Sequence, residues 1–297
     1  MKRKRKWLSL AVCLALNFGI LSGCAPGEED KTETVTLESV SEYIVSRSIL
    51  DHWDKLYGEF SGAWETAEPT PYASVANGPM SDKAVITMQK LNNDGVGYLI
   101  RDTLTYPRPI DGADTELGYE FFTPDGVTEF GRNVVFGDVW YRAPYFEINN
   151  MFSTGAHDDT QGTRYRFAPI LVLSDEINAL LFEQTVEKTT RKDGNLEIVL
   201  TLKQGGYMDA VLELNGPLEN FIRSGGALTE ANQNASGTYT FKFDAAGKCV
   251  ELITEMTVYE NILDIGIHET SRTTVLKSGF EGGLQPPQWY LDYLDTI

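Results

Sequence analysis

From Lys83 onward the chain alternates apolar and polar residues in short runs separated by turn residues, which is the pattern of half-buried β-strands. Leu196, Ile198, Leu200 and Leu202 alternate with Glu197, Val199, Thr201 and Lys203, and Tyr239, Phe241 and Phe243 with Thr240, Lys242 and Asp244. A period of two puts each apolar set on one face, so a sheet with one dry and one wet side is expected. Asn93-Asp94-Gly95, Pro124-Asp125-Gly126, Lys192-Asp193-Gly194 and Asp244-Ala245-Ala246-Gly247 predict hairpin turns, because Asn and Asp tolerate left-handed backbone and Gly adopts it freely. After the last turn, Val250, Leu252, Met256 and Val258 continue a dry face as far as Tyr259. Leu263, Ile265 and Ile267 begin another strand that runs to Leu276.

Ahead of the strands the period changes. Val40, Tyr43, Ile44, Leu50, Trp53, Tyr57 and Phe60 recur every three or four residues, with Ser39 as N-cap and Gly58 near the end, and predict an amphipathic helix over 39–57. Residues 66–82, with Pro69, Pro71, Gly78 and Pro79, predict a loop. Short helices are expected at 174–182, after Ser174, and at 217–223, after Pro217. Residues 286–294 suit either a docked helical turn or a tail. The region 104–118 reads as an insertion and 142–169 as irregular. No fixed-period repeat is present, so residues 38–297 are expected to form a single β-rich domain of the α+β class, mainly antiparallel.

The first residues follow a third pattern. Lys2, Arg3, Lys4, Arg5 and Lys6 precede an apolar run from Trp7 to Ile20 that ends in Leu21-Ser22-Gly23-Cys24. The fifteen residues from Trp7 to Leu21 fall short of the roughly twenty that span a bilayer, and small residues at Ser22 and Gly23 suit a peptidase reaching the backbone before Cys24. These residues resemble the signal sequence of bacterial lipoproteins. The resemblance implies removal of residues 1–23, a diacylglyceryl group on the Cys24 thiol, and lipid anchoring on the extracytoplasmic face of a bacterial membrane. Residues 24–37, polar and acidic, are expected to be a flexible tether.

Loss of residues 1–23 removes five basic residues and no acidic ones, leaving 20 cations against 43 carboxylates, a net of −23. That charge repels nucleic-acid phosphates and anionic membrane surfaces, which excludes nucleic acid as an expected partner and leaves attachment to the acyl chains. Cys13 leaves with the signal peptide and Cys24 is acylated, so Cys249 has no partner for a disulfide and the fold must rest on its core. A monomer is expected.

No phosphate-binding glycine loop, zinc-protease helix, Cys-x-x-Cys pair or calcium loop occurs, so neither cofactor nor metal is expected, and no catalytic residue is assigned. His52 lies beside Asp51 and Trp53 and reads as a surface residue, and His268 falls on the polar side of its strand with Asp264 and reads as a cross-strand hydrogen-bonding residue. His157-Asp158-Asp159 could bind a cation or act as a base, but Ser153, Thr154, Gly155, Thr160, Gln161 and Gly162 around it mark a turn-rich polar loop. Ser224-Gly225-Gly226 lacks the strand-turn-helix setting of a nucleophile elbow.

The helix over 39–57, the strand start Phe136-Gly137-Asp138-Val139-Trp140-Tyr141 and the hairpin Phe241-Lys242-Phe243-Asp244-Ala245-Ala246-Gly247-Lys248 together resemble the LolA-like lipoproteins. The resemblance implies a curved half-barrel sheet wrapped on an N-terminal amphipathic helix and enclosing an apolar cavity. The expected function is then binding of a lipid or other amphiphile, without catalysis, on a face that includes Phe241, Phe243, Val250, Leu252, Met256 and Val258. The other reading is a lipid-anchored interaction module with a filled core, presenting loops 104–118 and 153–163 to a protein or cell-wall partner.

Overall fold

Alternation becomes strands, and Asp-rich turns join them. The computed structural model describes residues 30–64, 80–92, 95–107, 114–142, 173–215, 235–262 and 266–297. The elements in chain order are β1 (Lys31–Thr36), α1 (Leu37–Val45), β2 (Lys55–Trp64), β3 (Met80–Lys90), β4 (Val96–Pro107), β5 (Asp114–Thr123), β6 (Glu129–Asn133) and β7 (Val139–Arg142). They continue with α2 (Asp175–Leu181), β8 (Thr185–Thr190), β9 (Leu196–Thr201), α3 (Gly206–Asn215), β10 (Ser236–Phe243), β11 (Cys249–Ile262), β12 (Gly266–Ser278) and α4 (Gln288–Leu294).

The twelve strands among the described residues form one antiparallel sheet in the order β1-β8-β9-β10-β11-β12-β2-β3-β4-β5-β6-β7. The two ends of that order do not meet, so the sheet is open. One row of cross-strand partners crosses it: Glu33 and Lys188 at one edge, then Ile198, Phe241, Leu252, Leu276, Gly58, Ile86, Ile100, Phe121, Gly131 and Trp140. This inner face carries the core. Three of the expected turns, at 124–126, 192–194 and 244–247, join neighbouring strands and are each closed by an Asp side chain, whereas Asn93 and Asp94 of the fourth lie outside the described residues. Asp125 Oδ1 accepts the N–H of Val127 and Thr128, Asp193 Oδ1 that of Asn195, and Asp244 Oδ1 those of Ala246 and Lys248.

On the inner face, Leu37, Val40 and Ile44 of α1 and Ile177 and Leu181 of α2 are buried with the strand residues in one cluster. The helices are tied to each other by Ser41, whose hydroxyl donates to Asp175 Oδ1 (2.6 Å) and accepts from Asn178 Nδ2 (2.8 Å). Ser174 caps α2 by accepting from the Ile177 N–H at 3.2 Å, as its position before the helix predicts. The outer face holds the C-terminal segment, which docks as a helix: Tyr290 of α4 packs at 4.9 Å from the Phe122 ring and 4.8 Å from Phe130. Among the described residues no helix is long and apolar enough to cross a membrane.

Four expectations need correction. Residues 31–36 are a strand, not tether: Thr32, Thr34, Val35 and Thr36 are β-branched, and the polarity is that of an edge strand held by Lys188–Glu33 (2.8 Å) and Thr32–Thr189 (2.9 Å) contacts. The helix predicted over 39–57 stops at Val45. Beyond the turns at 46–54, Leu56, Gly58, Phe60 and Gly62 alternate inward as β2, and the spacing of Trp53, Tyr57 and Phe60 matched a helix by coincidence of the two periods. The loop over 66–82 gives way to β3 at Met80. The 104–118 region is not a surface insertion as a whole, because β4 runs to Pro107 and β5 starts at Asp114, pairing with each other in register. The helix expected at 217–223 and the irregular region at 143–169 lie outside the described residues, whereas α3 at 206–215 was not anticipated.

Candidate functional site: the inner face of the sheet

The residues expected to line a cavity divide in three. Phe241, Phe243, Leu252 and Met256 are buried on the inner face as the alternation requires, but they are packed as core. The Tyr43 ring of α1 meets Phe243 edge-on at 5.0 Å, and Phe182, just after α2, meets the neighbouring Tyr239 edge-on at 5.0 Å. Val250 is half-buried, because the register slips between Lys242 and Phe243 and leaves it as the extra residue of a β-bulge. Val258 lies in β11, and its side chain is outside what is described. Cys24 and the His157-Asp158-Asp159 cluster also lie outside the described residues.

Polarity changes along the inner face. In the row through Leu252 every described partner from β9 to β5 is apolar or glycine. One step toward the Met256 end of β11, Thr254 and Thr274 sit opposite each other, each 1% exposed, and one further step Met256 pairs with Arg272, which is 6% exposed. Arg272, Thr274 and Leu276 are successive inward residues of β12, so a guanidinium, a hydroxyl and an isobutyl group follow one another on one face. On the far side of the sheet Tyr119, Phe121 and Trp140 form an aromatic group with ring centroids 6.4–6.5 Å apart. Gly131 makes room for it: a Cβ there would stand 2.7 Å from the Trp140 indole. At the opposite end of the inner face Glu129 is fully buried and accepts a hydrogen bond from the Tyr98 hydroxyl, beside the buried Thr123.

Several other ionisable groups among the described residues hold structure. On the outer face Glu120 is clamped between Arg101 (2.9 Å) and Arg132 (2.8 Å), and the Arg132 guanidinium lies 5.5 Å from the Trp289 ring centroid. Burial alone would raise the carboxyl of Glu251, but hydrogen bonds and ion pairing with Lys242 and Lys277 outweigh it and hold the group below its ordinary value. Burial pushes the Cys249 thiol up to about 12, which fits an inert core residue. His52 is exposed and donates through Nε2 to the Ser46 carbonyl (3.1 Å). His268 pairs in register with Glu260. Among the described residues no group of three or more His, Cys, Asp or Glu side chains is placed to hold a metal ion.

Sequence reasoning missed Arg272, Thr254 and Thr274, and the Tyr98–Glu129 pair. A charge at an inward position of an alternating strand was the available signal for Arg272. For Glu129 there was none, because the register that turns it inward is set by the neighbouring β5.

No protein-family model and no curated protein matches the chain. Among solved structures, a DUF1329 family protein from Desulfovibrio piger ATCC 29098 is similar at 10% identity, over 84% of this chain and 95% of that one, with a TM-score of 0.24. At that score the likeness carries no argument about fold or function. Among its described residues the chain folds as an open, mainly antiparallel twelve-stranded sheet with few helices.

Proposed function

We propose that the chain is an extracytoplasmic lipoprotein held to a bacterial membrane through Cys24, and that its sheet takes up an amphiphile on the inner face in the manner of the LolA-like carriers. The observation that carries the second part is the change from an apolar row to buried Thr254, Thr274 and Arg272 within two steps along β11 and β12. An apolar row suits an acyl chain and a neighbouring guanidinium suits an anionic head. Because Tyr43 of α1 packs on Phe243 and Phe182 on Tyr239, the ligand belongs farther along the strands, toward Arg272 and the Tyr119–Trp140 aromatics. Burying an acyl group there at about 25 cal/mol per Å² supplies several kcal/mol.

A lipid-anchored interaction module is the second reading. It is favoured by the β6–β7 turn, where Val134, Val135 and Phe136 are 45%, 56% and 74% exposed.

The test is native mass spectrometry of the mature chain carrying Cys24→Ser, with lipid extraction and titration by a fluorescent fatty acid. A co-purified or titratable amphiphile, bound more weakly by Arg272→Gln, supports the carrier. Absence of any binding removes it in favour of the interaction module.

A further inference from the structure

Strand register fixes which parts of the chain share an end of the sheet. Lys31 pairs with Thr190, Thr190 with Leu196, Leu196 with Phe243 and Phe243 with Cys249, so the start of β1 and the turns at 191–195 and 244–248 form one corner. The chain is captured there before β1 begins: the Asp30 carboxylate accepts from Arg191 Nη1 and from the Lys192 N–H, each at 3.1 Å. If Cys24 carries the anchor, only six peptide steps separate it from a fixed point, and whatever their conformation they span no more than about 20 Å. A tether lasting to residue 37 would have spanned about twice that.

The corner is also less acidic than the chain as a whole. Residues 30–31 and the two turns carry Lys31, Arg191, Lys192 and Lys248 against Asp30, Asp193 and Asp244, while the mature chain has more than twice as many carboxylates as cations. An anionic bilayer surface repels the rest of the body within a Debye length of about 8–10 Å and tolerates this corner. The exposed hairpin of Val134, Val135 and Phe136 lies at the opposite end of the strands and toward the other edge, nine strand spacings from the 191–195 turn and seven from the 244–248 turn, about 35–45 Å along the sheet.

We propose that the protein is oriented on its membrane, with the corner of Asp30, Lys31 and the turns 191–195 and 244–248 resting on the lipid headgroups and the Val134–Phe136 hairpin turned away from them. The proposal rests on acylation of Cys24, and the experiment separates the two. Full-length processed protein carrying Lys192→Cys, Lys248→Cys or Phe136→Cys is labelled with an environment-sensitive fluorophore; Cys249 is buried and does not compete. Each is reconstituted in phosphatidylethanolamine–phosphatidylglycerol vesicles at about three to one, containing a small fraction of lipid with a nitroxide on its headgroup. Quenching several-fold stronger at 192 and 248 than at 136 is expected. Insertion of about 20 Gly/Ser residues after Ala25 should abolish that difference while leaving fatty-acid labelling intact. Equal quenching at the three positions, or stronger quenching at 136, in protein shown to carry fatty acid overturns the orientation alone. Absence of fatty acid on the unsubstituted protein overturns the anchor and the orientation together.

Discussion

Replacing Gly237 by alanine should be the most damaging single-methyl change in the sheet. Gly237 lies in β10 at φ +142°, a backbone region open essentially to glycine, and its carbonyl accepts from the buried Leu202 N–H at 2.9 Å. A Cβ there would stand 2.1 Å from the Glu255 carbonyl oxygen and 2.8 Å from the Met256 Cα, both backbone atoms of β11 that no rotamer change can move. The backbone penalty is about 1–3 kcal/mol. Parting the strands, or turning the peptide so that Leu202 loses its acceptor, adds about 1–3 kcal/mol for the unsatisfied buried N–H. The sum, about 2–6 kcal/mol, is a large part of the ~5–15 kcal/mol that holds a domain together. Gly279→Ala is the internal control, since Gly279 has φ +95° but nothing within 4 Å of its Cβ position, so it bears the backbone penalty alone. Urea unfolding of the Cys24→Ser mature chain, followed by tryptophan fluorescence, should show Gly237→Ala lowering the midpoint well beyond Gly279→Ala with similar slopes. Two variants within about 0.5 kcal/mol of each other would refute the close approach of β10 to β11 at this point.

Leu252→Ala, which empties the centre of the inner row, should cost about 2–5 kcal/mol in the same assay, whereas a loss below about 1 kcal/mol would mean that the inner face is not covered there. Ser41→Ala should cost about 1–2 kcal/mol by breaking the Asp175–Ser41–Asn178 link, and a neutral result would place the two helices out of register. Burial opposes the charged form of Asp125, but N–H donation from Thr128 and Val127 and the Thr123 hydroxyl outweigh it and hold the carboxyl below its ordinary value. A depressed folded-state pKa gives stability that is present above the unfolded value of about 4 and is lost as pH falls through the folded one. Asp125→Asn should therefore flatten the acid limb of a stability–pH curve, and an unchanged limb would refute the turn geometry. Native Cys249 should resist a thiol reagent at pH 8 and react on unfolding; rapid native labelling would contradict its burial.

Period-two alternation and Asp-rich turns are local properties, which is why β9, β10, the hairpin turns at 124–126, 192–194 and 244–247 and the Ser174 cap could be read directly from residues. Register is not local. Whether Glu129 or Phe130 faces inward depends on pairing with β5, and the bulge at Val250 depends on β10 and β11 together. Ambiguity at Trp53, Tyr57 and Phe60 arose because spacings of three and four satisfy a helix while Leu56, Gly58 and Phe60 satisfy a strand, and packing against Leu276 and Ile86 decides between them. At β1 the polar composition of Lys31–Thr36 hid a strand whose partners are polar too. For the site, the apolar inner face was legible and its packing beneath α1 was not, since an alternating strand looks the same whether a helix or a ligand covers it.

The order of strands has a kinetic consequence. β2 to β7 follow one another as neighbours, and so do β8 to β12, so within each meander every strand pairs with the next one in sequence. The two meet only where β12 pairs with β2, joining Leu56 to Ser278 across 222 positions, and β1 waits similarly for β8. Pairings of such sequence separation are slow, because chain entropy is lost before any contact rewards it. In a chain emerging from its N-terminus, β2 presents a bare strand edge until almost the last residues have appeared. A truncation before Gly266 would leave that edge without its partner permanently, and aggregation rather than partial function is its physical outcome.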